Sequence, residues 1–93
     1  SKVPMLSVEG PIVKATTTTE NGKPHLVLDL LNPVDDIFVE GNPAHYFGKP
    51  STASGLVSLP VSGAKTVDEL KGNALRITMS ANGKGLEQTV VVV

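Results

Sequence analysis

Two histidines, His25 and His45, and no cysteine at all set the limits of the chemistry open to this sequence. Nucleophilic catalysis needs a hydroxyl or thiol, a base within hydrogen-bond reach and a third group to orient the base. The stretch STASG places Ser54 before a glycine, but it lacks the G-x-S-x-G spacing, and no strand runs into a helix there. It reads as a serine-rich loop, and no catalytic residue and no enzymatic activity are expected. A zinc site built on His25 and His45 has neither the i, i+4 pairing nor a Cys/His spacing. Oxygen donors gather at Asn32, Asp35, Asp36, Glu40 and Asn42, and Asp35, Asp36 and Glu40 are the candidates for a calcium ion. Calcium loops want ligands at alternate positions around a fixed glycine, whereas residues 37–39 read as a strand, so solvated acids at a strand entrance are the simpler account. The run NGKG at 82–85 has a faint look of a phosphate loop, but without the Walker spacing or a following helix it is a hairpin turn. No cofactor is expected.

The other concentration of useful side chains is aromatic. All three aromatics, Phe38, Tyr46 and Phe47, fall in DDIFVEGNPAHYFGKP, residues 35–50. One reading is a plug for the core of a small β-protein, since buried aromatics dominate core energetics. The other is a binding surface. Tyr46 and Phe47 are adjacent and point to opposite faces of an extended chain, so one can be core while the other stands near solvent. Phe47 is expected inside, and Phe38 either in the contact between sheets or covering an edge. Tyr46, with His45 and Lys49 beside it, is the candidate partner-binding surface.

The elements that must position these residues are strands. With 93 residues, the chain is expected to form one domain, 1–93, burying roughly two-thirds of its unfolded surface. Forty per cent hydrophobic and 18% charged residues make it a folding chain rather than a disordered one. Eight basic and nine acidic side chains leave a net charge of −1, which gives nucleic-acid phosphates nothing to steer. No apolar run nears the ~20 residues of a membrane span, so no membrane insertion is expected, and SKVPMLSVEG lacks the apolar stretch of a signal peptide.

ALRITMS alternates cleanly, with Leu75, Ile77 and Met79 on one face and Arg76, Thr78 and Ser80 on the other. ANGKG, with Gly83 and Gly85 free to take positive φ, joins it to LEQTVVVV as a hairpin. Asn21-Gly22 predicts a second hairpin between PIVKATTTTE and HLVLDLL, whose Leu26, Leu28 and Leu30 face inward. DDIFVE at 35–40 and GLVSLPV at 55–61 are further strands, and Pro60 argues that the latter runs along an edge. The segment 48–55 is expected to be the longest and most mobile loop. Thr66 and Glu69 have capping-box spacing and Gly72 is a stop signal, so one helical turn is expected over 67–71.

About seven short strands, with a helical turn before the penultimate one, resemble an immunoglobulin-like or fibronectin-III-like module: an all-β antiparallel β-sandwich. The resemblance is one of pattern, for there is no Cys…Trp…Cys framework and no tyrosine for a tyrosine corner. It implies a non-catalytic structural or binding module, working as a spacer, adhesion or docking unit of an extracellular, cell-surface or virion protein, with the cytosol left open. The chain ends in TVVVV, as a domain cut from a longer protein would. Its partner would be another protein or a neighbouring domain, and the sequence leaves its oligomeric state open. Two alternatives stand beside this: a small inhibitor or regulatory protein presenting residues 41–55 to an enzyme, and a calcium-binding surface domain.

Overall fold

The computed structural model of the chain describes residues 10–93. SKVPMLSVE, read above for a signal peptide, lies outside the described residues. Eight strands form among them: β1 Ile12–Glu20, β2 Lys23–Leu30, β3 Asp36–Glu40, β4 Tyr46–Phe47, β5 Ser51–Ala53, β6 Leu56–Ser62, β7 Ala74–Ala81 and β8 Lys84–Val91. They make two antiparallel sheets, one of five strands in which β1, β2 and β6 lie in that order with β4 and β5 both on the far side of β6, and one of three strands in the order β3-β7-β8. This is the expected all-β sandwich.

The period-two pattern decides which side chains meet between the sheets. Leu26, Leu28, Val57, Leu59 and Val61 from one sheet and Val39, Leu75, Ile77, Met79 and Val90 from the other are buried in one cluster. Leu30 is only half-buried at its margin. In β1 the register slips between Ile12 and Lys14, a β-bulge that lets Ile12 and Ala15, three residues apart, both face inward while Val13 is exposed.

Two-residue turns close three hairpins. Asn21-Gly22, Ser54-Gly55 and Asn82-Gly83 all have positive φ at both positions, the mark of a type I′ turn whose twist matches the flanking strands. The first is the predicted one. In the last, Asn82 rather than Gly85 takes the left-handed conformation, and Gly85 pairs with Ser80 inside the ladder. The middle one corrects the expectation of a long mobile loop over 48–55. Ser51–Ala53 pairs with Leu56–Ser58 as β5, because Ser54-Gly55 does the work of an Asn-Gly turn.

Pro60 also departs from expectation, for β6 is an inner strand with β2 on one side and β4 and β5 on the other. The Pro60 carbonyl accepts from the Gly48 N–H at 2.8 Å, which shows that its backbone polar groups face the gap between β4 and β5. There a missing N–H leaves no ladder bond unmade.

Between β6 and β7 the chain crosses from one sheet to the other through a 3₁₀ turn, Val67–Glu69. The capping box is not made. Thr66 makes no side-chain cap, and Glu69 instead accepts the Lys65 N–H at 2.8 Å. Gly72 does end the turn, at φ 84°, and donates to the Val92 carbonyl. Leu70 plugs the core from this crossing.

β1 and β8 meet along one side of the sandwich. Ala15 and Val92 form a parallel bridge, and the Val93 N–H donates to the Ala15 carbonyl at 3.0 Å. Gln88, the one buried polar residue among those described, spans the sheets: its amide donates to the Ile12 carbonyl at 2.7 Å and its carbonyl accepts the Ile12 N–H at 3.1 Å. A Cβ on Gly10 would collide with Gln88 Oε1, so a larger residue there would displace the Gln88 amide from Ile12.

Candidate functional site: the outer face of the five-stranded sheet

Asn42 builds the approach to the aromatic stretch. Its Oδ1 accepts the Ala44 N–H at 2.8 Å and its carbonyl accepts the His45 N–H at 2.9 Å, a tight turn that feeds the chain into β4. At Gly41 the backbone passes close to the core: a Cβ there would lie 2.6 Å from Leu75 Cδ2, so Leu75 would have to shift to accept any larger residue. In β4, Tyr46 opposes Ser62 and Phe47 opposes Val61. The alternation turns Phe47 inward against the core and leaves Tyr46 71% exposed.

The same alternation separates His45 from Tyr46. His45 was expected beside solvent as a contact residue, but its side chain is only 6% exposed, with Nε2 3.9 Å from Glu69 Oε1. Its Nδ1 is buried with no hydrogen-bond partner. His45 therefore packs against the crossing rather than contributing to a surface. Phe38 is the opposite correction. It stands 62% exposed on the outer face of β3, because Ile37 and Val39 take the inward positions.

Lys49 is exposed and does share a face with Tyr46. It lines a groove of about 470 Å³ on the outside of the five-stranded sheet, together with His25, Val27, Leu56, Ser58 and Pro60. Tyr46 stands beside Ser62, the next outward residue after Pro60 on β6, so aromatic ring, lysine and groove lie on one surface. A Cβ on Gly48 would come 2.9 Å from the Pro60 ring, and this close approach holds the backbone before Lys49 against the sheet. Sequence reasoning missed the groove itself. Its signal was the outward row of β2 and β6, where Val27 and Leu56 alternate out of phase with the core leucines and valines.

His25, Ser58 and Glu20 all line this groove, but they do not form a nucleophile and base. His25 Nδ1 donates to the Lys23 carbonyl at 3.1 Å, and Nε2 faces Glu20 Oε1 at 3.8 Å. No hydrogen bond joins His25 to Ser58, whose hydroxyl is buried without a partner. Ser54 sits exposed at a turn tip with φ 53°. What the face offers is contact chemistry: an aromatic ring, a cation, and a trough with apolar walls.

The calcium candidates are not brought together. Asp36 and Glu40 point to the same side of β3 but lie four residues apart, about 13 Å along a strand. Asp35 lies outside the strand, and Glu40 lies 4.0 Å from the Arg76 guanidinium. Among the described residues no three His, Cys, Asp or Glu side chains are grouped as a metal ion would need. No helix among them is long and apolar enough to cross a membrane. No family model, no curated protein and no solved structure matches the chain.

Proposed function

We propose that the chain is a non-catalytic immunoglobulin-like module of an extracellular, cell-surface or virion protein, and that it docks a protein partner or a neighbouring domain on the outer face of its five-stranded sheet. The strand order supports the module. β1, β2, β6 and the β4/β5 pair take the places of strands A, B, E and D of a constant-type immunoglobulin sandwich, and β3, β7 and β8 those of C, F and G. The observation that carries the docking role is Tyr46, the most exposed large apolar or aromatic side chain among the described residues, standing with Lys49 beside a trough. Tyrosine is favoured at interface hot spots because a large ring contributes contact area while its hydroxyl stays hydrogen-bonded.

A photo-crosslinking phenylalanine analogue in place of Tyr46 tests this on the source material. A protein crosslinked from position 46 should be competed away by the unlabelled domain, and at least fivefold less well by the Tyr46→Ala/Lys49→Glu double variant, the ~1 kcal/mol expected of an interface anchor. Equal competition by the variant would remove the face from the proposal.

A further inference from the structure

The side of the sandwich opposite the β1–β8 contact is open. β3 is the edge of its sheet, paired with β7 alone, and the far side of β6 carries only the short β4 and β5. Between them is an apolar cleft of about 330 Å³, lined by Leu30, Val34, Ile37, Pro50, Thr52 and Val57 among others. The backbone of β3 is turned toward this opening in a definite register. The Asn73 carbonyl accepts the Val92 N–H, so odd-numbered residues of β7 turn their backbone polar groups to β8 and even-numbered ones to β3. With Asp36, Phe38 and Glu40 opposite Ser80, Thr78 and Arg76, the N–H and C=O groups left facing the opening belong to Ile37 and Val39. Ile37 and Val39 side chains point in; Asp36, Phe38 and Glu40 point out.

From this geometry we infer that the β3 edge is a docking site for an extended polypeptide segment, added as a further strand, with apolar residues at alternate positions and basic residues at the two ends of the paired stretch. The residue opposite Ile37 would face the cleft, and the one opposite Val39 would share the inward side of β3 with that core side chain, so both must be apolar. The residue opposite Phe38 meets its ring on the outer face, where cross-strand aromatic pairs are favoured. Those opposite Asp36 and Glu40 meet carboxylates. One cation, Arg76, lies against both Glu40, at 4.0 Å, and Glu87, at 3.6 Å, so the outer face keeps an excess of negative charge. A second copy of this chain does not fit, because antiparallel pairing about Phe38 sets Asp36 against Glu40 at both ends. This surface is distinct from the face that carries Tyr46 and stands or falls independently of it.

The test uses the protein with the peptide acetyl-Gly-Lys-Val-Phe-Val-Lys-Gly-amide and its counterpart with both lysines changed to glutamate. The lysine peptide should slow hydrogen exchange at the Ile37 and Val39 amides about tenfold or more, leaving the other edges unchanged. The glutamate peptide should bind at least tenfold more weakly, and Asp36→Lys/Glu40→Lys should reverse the preference. Binding without protection of those two amides would mean contact through a face and would overturn strand addition. Equal affinity for both peptides would overturn the charge rule, and so would protection of the same amides by self-association without peptide.

Discussion

Phe38, Tyr46 and Phe47 show what one side chain's position on a pleat decides. Phe47 alone of the three packs on the core, so Phe47→Ala should cost about 3 kcal/mol, in the range for truncating a phenylalanine that contacts a core. Phe38→Ala and Tyr46→Ala should each stay within about 0.5 kcal/mol, since both rings are largely exposed. Urea unfolding of the three variants checks the division, and a large loss at Phe38 would contradict its outward placement. Adjacent residues 46 and 47 were separable from sequence because opposite faces follow from extended chain. For Phe38 the phase was legible in Asp36 and Glu40, two residues to either side, whose carboxylates mark its face of β3 as the outer one, and the β3–β7 register agrees. Gln88 was not legible at all, since a glutamine in Leu-Glu-Gln-Thr reads as a surface residue. Gln88→Leu strips both partners from the Ile12 backbone and should cost about 2 kcal/mol or more. Gln88→Glu should behave differently with pH. The introduced carboxyl faces the Ile12 carbonyl and is favoured protonated, so its folded pKa lies above the unfolded ~4.3. Stability is then fully present below that value and is lost as pH rises through the folded pKa, which a melting series between pH 3 and 7 would follow.

At the scale of elements, the hairpins with Asn-Gly turns were readable because that dipeptide supplies left-handed φ at both central positions. Ser54-Gly55 was hidden by its serine, which rarely adopts such a conformation and sits in a run of small polar residues typical of loops. Ser54→Asn should raise stability by about 0.5 to 1 kcal/mol, by easing the left-handed backbone without altering any packing. A loss instead would show that the serine makes a contact the turn depends on. Pro60 misled because proline in a strand ordinarily marks an edge. Here two short strands share one neighbour, and the proline falls where neither reaches. The helical turn was found at its place, but Glu69 answers Lys65 rather than closing a box with Thr66.

Across the whole molecule, alternation fixed the two-layer architecture and most of the core, because each strand has one clear apolar row. It could not show which edges remain open, for that depends on strand order. Nearness in sequence misled in two places: it put His45 and Tyr46 on one surface although alternation sends them to opposite faces, and it grouped Asp35, Asp36 and Glu40 although β3 spreads them out. For that reason millimolar calcium should leave the melting temperature unchanged, where a real site at hundredfold excess over its dissociation constant would contribute about 2.7 kcal/mol. A rise of several degrees, reversed by chelator, would restore the calcium reading.

The contact between β1 and β8 has a mechanical meaning. The two strands run parallel where Ala15 meets Val92, so tension applied through residue 10 and residue 93 drags them past each other along their length. In that geometry the Val93–Ala15 bond and the two Gln88–Ile12 bonds must yield together rather than one after another. A module loaded in shear resists force far better than one that unzips. Pulled between those positions by atomic-force spectroscopy, Gln88→Leu should unfold at clearly lower force. Pulled across the β7–β8 hairpin, where the ladder peels bond by bond, the domain should yield more easily than when it is pulled along β1 and β8.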